Sequence, residues 1–372
     1  MACHMSSTLL PVYWGQIGFH DWQLGWLAAG FSLAAILSRL KLGVGLERFG
    51  RKPFLLIGAI LLTLPSGLYL RLGDSFALWW LLRFAQGLGL GIFITTVLTW
   101  VADRSPPEQV GKLQGVFGVS GLLGSALGPY FSEKIYLKFG FSAMFYALLA
   151  AGIVCCILIS CLPESAKIEA QSPNKSMQSI KLSEHKAVIF VTLPFGWLVG
   201  TIIVFLAPFL VSLKLSKVGL YFAGFAAASV AVRIFAGRAI DEVPVNRLIT
   251  GSGLLLGLSG FAIASLQWHT QTWLLIAGAV LNGLGHGFFF PGLSSHMVRN
   301  TSLEQRGAGL SLFTGVFDLG ILIGSLISGY ISQRFRYSCA FLFAAIFLSS
   351  SLPFFSMYNP KQNIQPKNQI PI

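Results

Sequence analysis

The chain has 372 residues, of which 54% are hydrophobic and only 10% charged, with a mean hydropathy of +0.72. That composition excludes an ordinary soluble domain and predicts a chain that crosses a lipid bilayer many times. The formal net charge of +13 does not predict a nucleic-acid partner, because the Lys and Arg are scattered through short loops rather than gathered on one water-facing patch.

The first apolar stretch, residues 6–15 (SSTLLPVYWG), is about half as long as a roughly 30 Å hydrocarbon core requires. It also lacks the basic start and small-residue cleavage site of a signal peptide. It reads as the tail of a helix whose beginning lies upstream of Met1, and Pro11 then stands to Gly43 much as Pro208 stands to Gly237. Candidate spans follow at 22–42, 54–69, 76–102, 113–131, 141–162, 188–213, 220–236, 248–266, 273–298, 308–331 and 340–357, about eleven full helices plus the partial first one. The runs are continuously apolar, whereas membrane-barrel strands alternate over about ten positions, so the fold class is all-α. The cysteines Cys3, Cys155, Cys156, Cys161 and Cys339 sit mostly inside these runs and read as small apolar fillers. Metal ligation or palmitoylation at 155–161 is the alternative, unsupported by a second motif, and no metal site is assigned.

Between the first two full spans, residues 43–52 read GVGLERFGRK, expected to form a tight, glycine-punctuated basic turn. This stretch resembles the signature loop between the second and third helices of major facilitator superfamily transporters. Gly43, Glu47, Arg48, Gly50, Arg51 and Lys52 match it, with Glu47 in place of the usual Asp and Gly45 in place of the usual Leu. The resemblance implies two pseudo-symmetric six-helix bundles and a cytoplasmic gate, in which the acid of the loop and its basic neighbours hold the halves together until the cavity opens inward. In the second half the counterpart is Arg233, Gly237 and Asp241, but Glu242, Val243 and Pro244 follow where Arg, Gly and basic residues would stand. The gate is therefore expected to be asymmetric.

Charge inside a span is expensive and marks a candidate functional residue. Arg83 opens RFAQG and, with Gln86, resembles a fourth-helix Arg-x-x-Gln-Gly element associated with proton-coupled exporters. Gly115, Gly124, Gly128 and Pro129 resemble the antiporter signature of the fifth helix and are expected to form a helix bend between the halves; Ser132 and Glu133 replace its final Gly-Gly. Close packing explains the same glycines equally well. His286, in GLGHGF, lies on the tenth helix, which lines the cavity in this family, and Asp318, in GVFDLG, is the only carboxylate near the middle of a span. These four, Arg83, Gln86, His286 and Asp318, are the proton or substrate candidates. Carbonyl contacts for Arg83, structural pairing between the halves for Asp318 and plain packing for His286 are the competing readings. Asp103, Arg104, Glu108, Arg299, Glu304 and Arg306 read as solvated loop charges or members of the gate network.

An internal repeat divides the chain. Glu108, Gln109, Gly111, Phe117, Gly124 and Gly128 recur as Glu304, Gln305, Gly307, Phe313, Gly320 and Gly324, and Gly87, Gly89 and Gly91 recur as Gly283, Gly285 and Gly287. Arg39, Gly43 and Glu47 recur as Arg233, Gly237 and Asp241. The expected organisation is a first bundle at 1–162, a polar cytoplasmic linker at 163–187, a second bundle at 188–358 and a cytoplasmic tail at 359–372. Placing the 43–52 loop in the cytoplasm puts about 18 of the 26 Lys and Arg inside and about seven outside, as the positive-inside rule requires.

No phosphate-binding loop, His/Cys ligand set or nucleophile motif is present, so neither an enzyme nor a cofactor is expected. What the resemblance implies is a multi-pass protein of the cell (inner or plasma) membrane. It would be a monomer that exchanges protons for a small organic molecule, similar to the arabinose-efflux-permease-like and drug–proton antiporter branch. Proton-coupled import and a non-transporting remnant with an incomplete first helix are the alternatives.

Overall fold

The computed structural model describes residues 2–105, 110–163, 185–237, 242–301 and 305–358. They form eleven helical elements: α1 (Ala2–Gln16), α2 (Asp21–Phe49), α3 (Lys52–Leu68), α4 (Phe76–Asp103), α5 (Val110–Ser160), α6 (Lys186–Ser212), α7 (Val218–Phe235), α8 (Val245–Ser265), α9 (Thr272–Arg299), α10 (Arg306–Arg334) and α11 (Tyr337–Tyr358). The 51-residue α5 is two helices joined at Gly140, whose φ of 80° and ψ of 178° lie outside the helical region. Only glycine adopts that conformation without strain. Counting its two arms separately, six helices fall on each side of the 163–187 linker. Most of that linker, and the tail at 359–372, lie outside the described residues.

Among the described residues nine helices are long and apolar enough to cross a membrane. Their outer faces carry exposed Leu64, Leu81, Leu158 and Phe235, while Phe195, Phe205, Phe209, Phe289, Phe341 and Phe355 are fully buried in the second bundle. This is the inside-out economy of a membrane protein, in which lipid solvates the apolar rim and packing fills the centre. Cys155 and Cys156 pack against the small cluster of Leu55, Ala59 and Ile159, as apolar fillers would.

The expected turn at 43–52 is corrected by the structure. Helix α2 continues to Phe49, and the break is confined to Gly50 and Arg51. Leu46, Glu47 and Arg48 are good helix formers, and two glycines cost only about 1 kcal/mol each relative to alanine. The stop comes from Gly50 at φ 84°, followed by Pro53 in the first turn of α3. The expected bend at Gly124–Pro129 is not where α5 breaks either: the backbone remains helical through Pro129 and opens at Gly140.

The glycine repeat has a direct packing reason. A Cβ at Gly87 would collide with the Phe31 carbonyl oxygen of α2, and one at Gly91 would lie 2.6 Å from the Ala35 carbonyl oxygen; Gly89 faces α3, where a Cβ would lie 2.9 Å from Gly58 O. In the second bundle a Cβ at Gly283 would collide with the Phe225 carbonyl oxygen, one at Gly287 would lie 2.9 Å from Val232 Cβ, and one at Gly285 would lie 2.9 Å from Ser252 O. The alternating glycines thus let α4 sit between α2 and α3, and α9 between α7 and α8. Gly87→Ala should therefore lower the unfolding temperature of the detergent-solubilised protein, by an overpacking cost of roughly 1–3 kcal/mol. Gly251→Ala, where a Cβ meets nothing within 4 Å, should not lower it.

The bundles meet along two main seams, α2 against α10 and α5 against α7, with a smaller contact of α1 against α6. Both main seams are bonded at the end where α2 begins. Asp21 N–H donates to Gln333 Oε1 at 2.9 Å, Tyr337 Oη donates to Asp21 Oδ1 at 2.5 Å, and Trp26 Nε1 donates to Tyr330 Oη at 3.2 Å. In the other seam the Glu133 carboxylate accepts the N–H groups of Val218 and Gly219 at 2.8 and 2.7 Å. A carboxylate on the exposed donors of a helix N-terminus is a favourable charge–dipole contact, and it accounts for Glu133 where the antiporter signature has glycine.

Candidate functional site

The structure does not gather the sequence candidates into one place; it distributes them over three sites. The first lies in the α2–α10 seam. Asp318 is not a lone carboxylate: Arg39 Nη1 donates to its Oδ2, and the two side chains remain 29% and 18% exposed. Arg39 enters the sequence reading only as a member of the repeat. What singles it out is being a cation about five helical turns into α2, which is the signal that charge within a membrane segment carries.

Arg83 and Gln86 occupy the second site, buried inside the first bundle at 4% and 2% exposure. Arg83 Nη1 donates to Gln86 Oε1 at 2.9 Å, and Gln86 Nε2 donates to Leu62 O at 3.2 Å. Tyr69 Oη donates to the same Gln86 oxygen. The guanidinium lies 4.3 Å from the Phe31 ring centroid and 5.7 Å from that of Trp14, and its Nε has no hydrogen-bond partner. Among the described residues no carboxylate pairs with it, so aromatic faces supply its compensation for burial. Its hydrogen bond goes to the side-chain amide carbonyl of Gln86, three residues on in the same helix.

The third site is a cavity of about 340 Å³ between the first arm of α5 and helices α6, α7, α9 and α10, within the size range of small-molecule sites. His286 is in its wall, with Phe225, Phe290 and Phe317. Phe195, Phe225 and Phe290 ring His286 at centroid distances of 5.5, 5.4 and 5.8 Å, the last stacked, and His286 Nδ1 is buried without a partner. Tyr221 and Asn282 also line the cavity and bond to each other, Asn282 Nδ2 donating to Tyr221 Oη at 2.8 Å. No sequence motif marks either. Arg233, expected in the gate, lines the cavity as well.

Of the remaining gate residues, Arg51 is buried and its Nε donates to Asp103 Oδ2 at 2.8 Å, while its Nη1 donates to Leu46 O at 2.6 Å. Lys52 Nζ donates to Ser160 O at 2.6 Å. These contacts tie the α2–α3 turn to the ends of α4 and α5 within one bundle. Gly43, Glu47 and Arg48 are on the helical backbone of α2, but their side-chain surroundings lie outside the described residues, as do those of Gly115. Asp241, Glu108 and Glu304 fall outside the described residues altogether. Gly237 lies in a turn just after α7, and Gly124, Gly128 and Pro129 are buried on α5.

Comparison with known proteins agrees with this architecture. The family model described as Major Facilitator Superfamily matches residues 1–268 and 188–371. The MFS-type transporter SLC18B1 of Mus musculus is 24% identical over 377 residues, covering 91% of this chain and 80% of that protein. Multidrug resistance protein MdtG of Proteus mirabilis is 24% identical over 357 residues, covering 90% and 87%. The crystal structure of a D-xylose–proton symporter superposes with a TM-score of 0.73 at 16% identity, covering 95% of this chain and 94% of that one, a likeness of fold alone. The chain belongs to the major facilitator superfamily and is a multi-pass membrane transporter, not an enzyme.

Proposed function

We propose that the protein is a proton-coupled exporter of a small organic molecule, working by alternating access of the bundles at 1–162 and 188–358. The observation that carries this reading is the Arg39–Asp318 pair, which spans the seam between the bundles. An ion pair placed there must open when the bundles rock apart at that level, and a carboxylate left without its cation in a low-dielectric wall is a group that binds a proton. Proton uptake is thereby tied to the conformational change.

Export rather than import is supported by the Gly115, Gly124, Gly128 and Pro129 element and by the likeness to a multidrug resistance protein. The bonded seams at the α2 start are the outer closure, and the Gly43, Glu47, Arg48, Gly50, Arg51 and Lys52 end faces the cytoplasm, where the positive-inside rule puts it. Arg51 and Lys52 brace the inner ends of the first bundle as it rocks. The protein acts as a monomer in the cell membrane, with lipid on its exposed leucine faces.

The test is transport in proteoliposomes with an imposed pH gradient, using a panel of dyes, sugars and organic acids and bases. An acidic lumen should drive uptake of a transported compound by exchange, and a protonophore should abolish it. Uptake driven instead by an alkaline lumen would replace this reading with proton symport.

A further inference from the structure

The internal repeat leads one to expect a second ion pair where the described residues show none. The α2–α10 and α5–α7 seams are equivalent under the pseudo-symmetry, and Arg233 on α7 is the counterpart of Arg39 on α2. In the register set by Phe117/Phe313, Gly124/Gly320 and Gly128/Gly324, Asp318 falls on Leu122. Arg39 therefore has its carboxylate, and Arg233 meets a leucine. The cavity wall contains both Leu122 and Arg233, and a Cβ at Gly118, one helical turn before Leu122, would lie 3.3 Å from Arg233 Nη1. Among the described residues Arg233 has no ion pair, and its Nε is buried without a hydrogen bond.

A guanidinium held beside an apolar cavity without a partner is costly unless something else completes it. No Asp or Glu is among the residues lining the cavity. The other polar side chains there are His286, with its unbonded Nδ1, the Asn282–Tyr221 pair and Ser125, whose Oγ donates to Leu122 O at 2.7 Å, and the rest of the wall is mainly aliphatic and aromatic, with Phe222, Phe225 and Phe290 prominent.

We infer that the substrate is an amphipathic organic anion, whose carboxylate completes the pair that Leu122 leaves open on Arg233 and whose apolar body packs against the phenylalanines. A planar guanidinium recognises a planar carboxylate by two parallel hydrogen bonds, which neither a neutral isostere nor an amine can accept in the same way. Once bound, the anion also joins α7 to the α5 wall through Arg233, as Asp318 joins α10 to α2. This inference rests on the transport reading for its consequence but not for its test, because binding is measured without transport.

The experiment is thermal stabilisation of the purified, detergent-solubilised protein by aromatic and aliphatic carboxylates, with benzoate, benzamide and benzylamine as the core set. A carboxylate of the panel should stabilise the protein where its amide and amine do not. Arg233→Gln should weaken that binding at least tenfold. Leu122→Asp should do the same by supplying the missing partner internally, while leaving the unliganded protein as stable as the native one or more so. Equal stabilisation by carboxylate and amide, no carboxylate response at all, or undiminished binding in Arg233→Gln with Leu122→Asp also neutral would overturn the inference. If a carboxylate binds through Arg233 but is not moved by any pH gradient, the anion site stands and the exporter reading falls. If only neutral or cationic compounds are transported, and Arg233→Gln transports them normally, the exporter reading stands and the anion site falls.

Discussion

Asp318→Asn should reduce transport driven by a pH gradient at least 100-fold while leaving exchange of substrate for substrate within about threefold of the native rate. The asparagine keeps the volume and one acceptor for Arg39 but neither carries charge nor binds a proton, so it separates proton coupling from the rocking motion itself. Its structural cost is bounded by the exposure of the pair. Removing one partner of a fully buried pair costs roughly 3–5 kcal/mol, but the side chains of Arg39 and Asp318 are 29% and 18% exposed, and solvent screening lowers the figure. The folded protein should thus survive, as gel filtration will show. The double exchange Arg39→Asp with Asp318→Arg settles the role. If the pair only clamps the seam, the reversed pair restores both stability and driven transport. If the carboxylate must reside on α10 to meet the proton path, stability returns and driven transport does not. Equal loss of driven transport and of exchange in Asp318→Asn would show that the pair serves the motion and not the proton.

The parts of this molecule that were legible in the sequence are those written locally. Span positions follow from continuous apolar runs, and the helix pair hidden in α5 is marked by Gly140 between two such runs. The repeat of Gly87, Gly89 and Gly91 in Gly283, Gly285 and Gly287 was visible as spacing, and the structure supplies its cause in the carbonyl oxygens and side chains those glycines face. The glycines of 43–52 point to a turn, but helix continuity outweighs them and α2 runs on to Phe49; a single positive-φ residue, Gly50, sets the end. What the sequence left hidden are contacts across hundreds of residues. Asp318 was recognisable as a charge in a span, but its partner Arg39 lies 279 positions away. The repeat relates Arg233 to Arg39, and only the packing of α7 against α5 reveals that Arg233, without an ion pair among the described residues, is part of a cavity wall. Tyr221 and Asn282 carry no motif at all, since a hydrogen-bonded pair on neighbouring helices has no characteristic spacing.

Arg83→Met is expected to leave the protein at least as stable as native and to cut transport at least 100-fold. Replacing a buried charge by an apolar side chain of similar length is often neutral or stabilising, because the desolvation cost of the ion disappears. Arg83 is only 4% exposed, its Nε is unbonded, and its stabilisation comes from one amide and two aromatic faces. Each cation–π contact is worth about 2 kcal/mol when desolvated, enough to hold the charge in place but not enough to explain it as a device for stability. Such an expensive arrangement, in which Arg83 and Gln86 of α4 meet Trp14 of α1 and Phe31 of α2, points to a charge required by the transport cycle. Arg83→Lys should fail nearly as badly, since an ammonium lacks the planar face that lies against Phe31 and the fork that reaches Gln86. Phe31→Leu should lose stability but retain much of the transport, because Trp14 and Gln86 still hold the guanidinium. The decisive comparison is melting temperature against pH-driven flux for the three variants in the same lipid. A stable, silent Arg83→Met assigns the charge to the cycle, whereas a stable, active Arg83→Met would reduce Arg83 to packing.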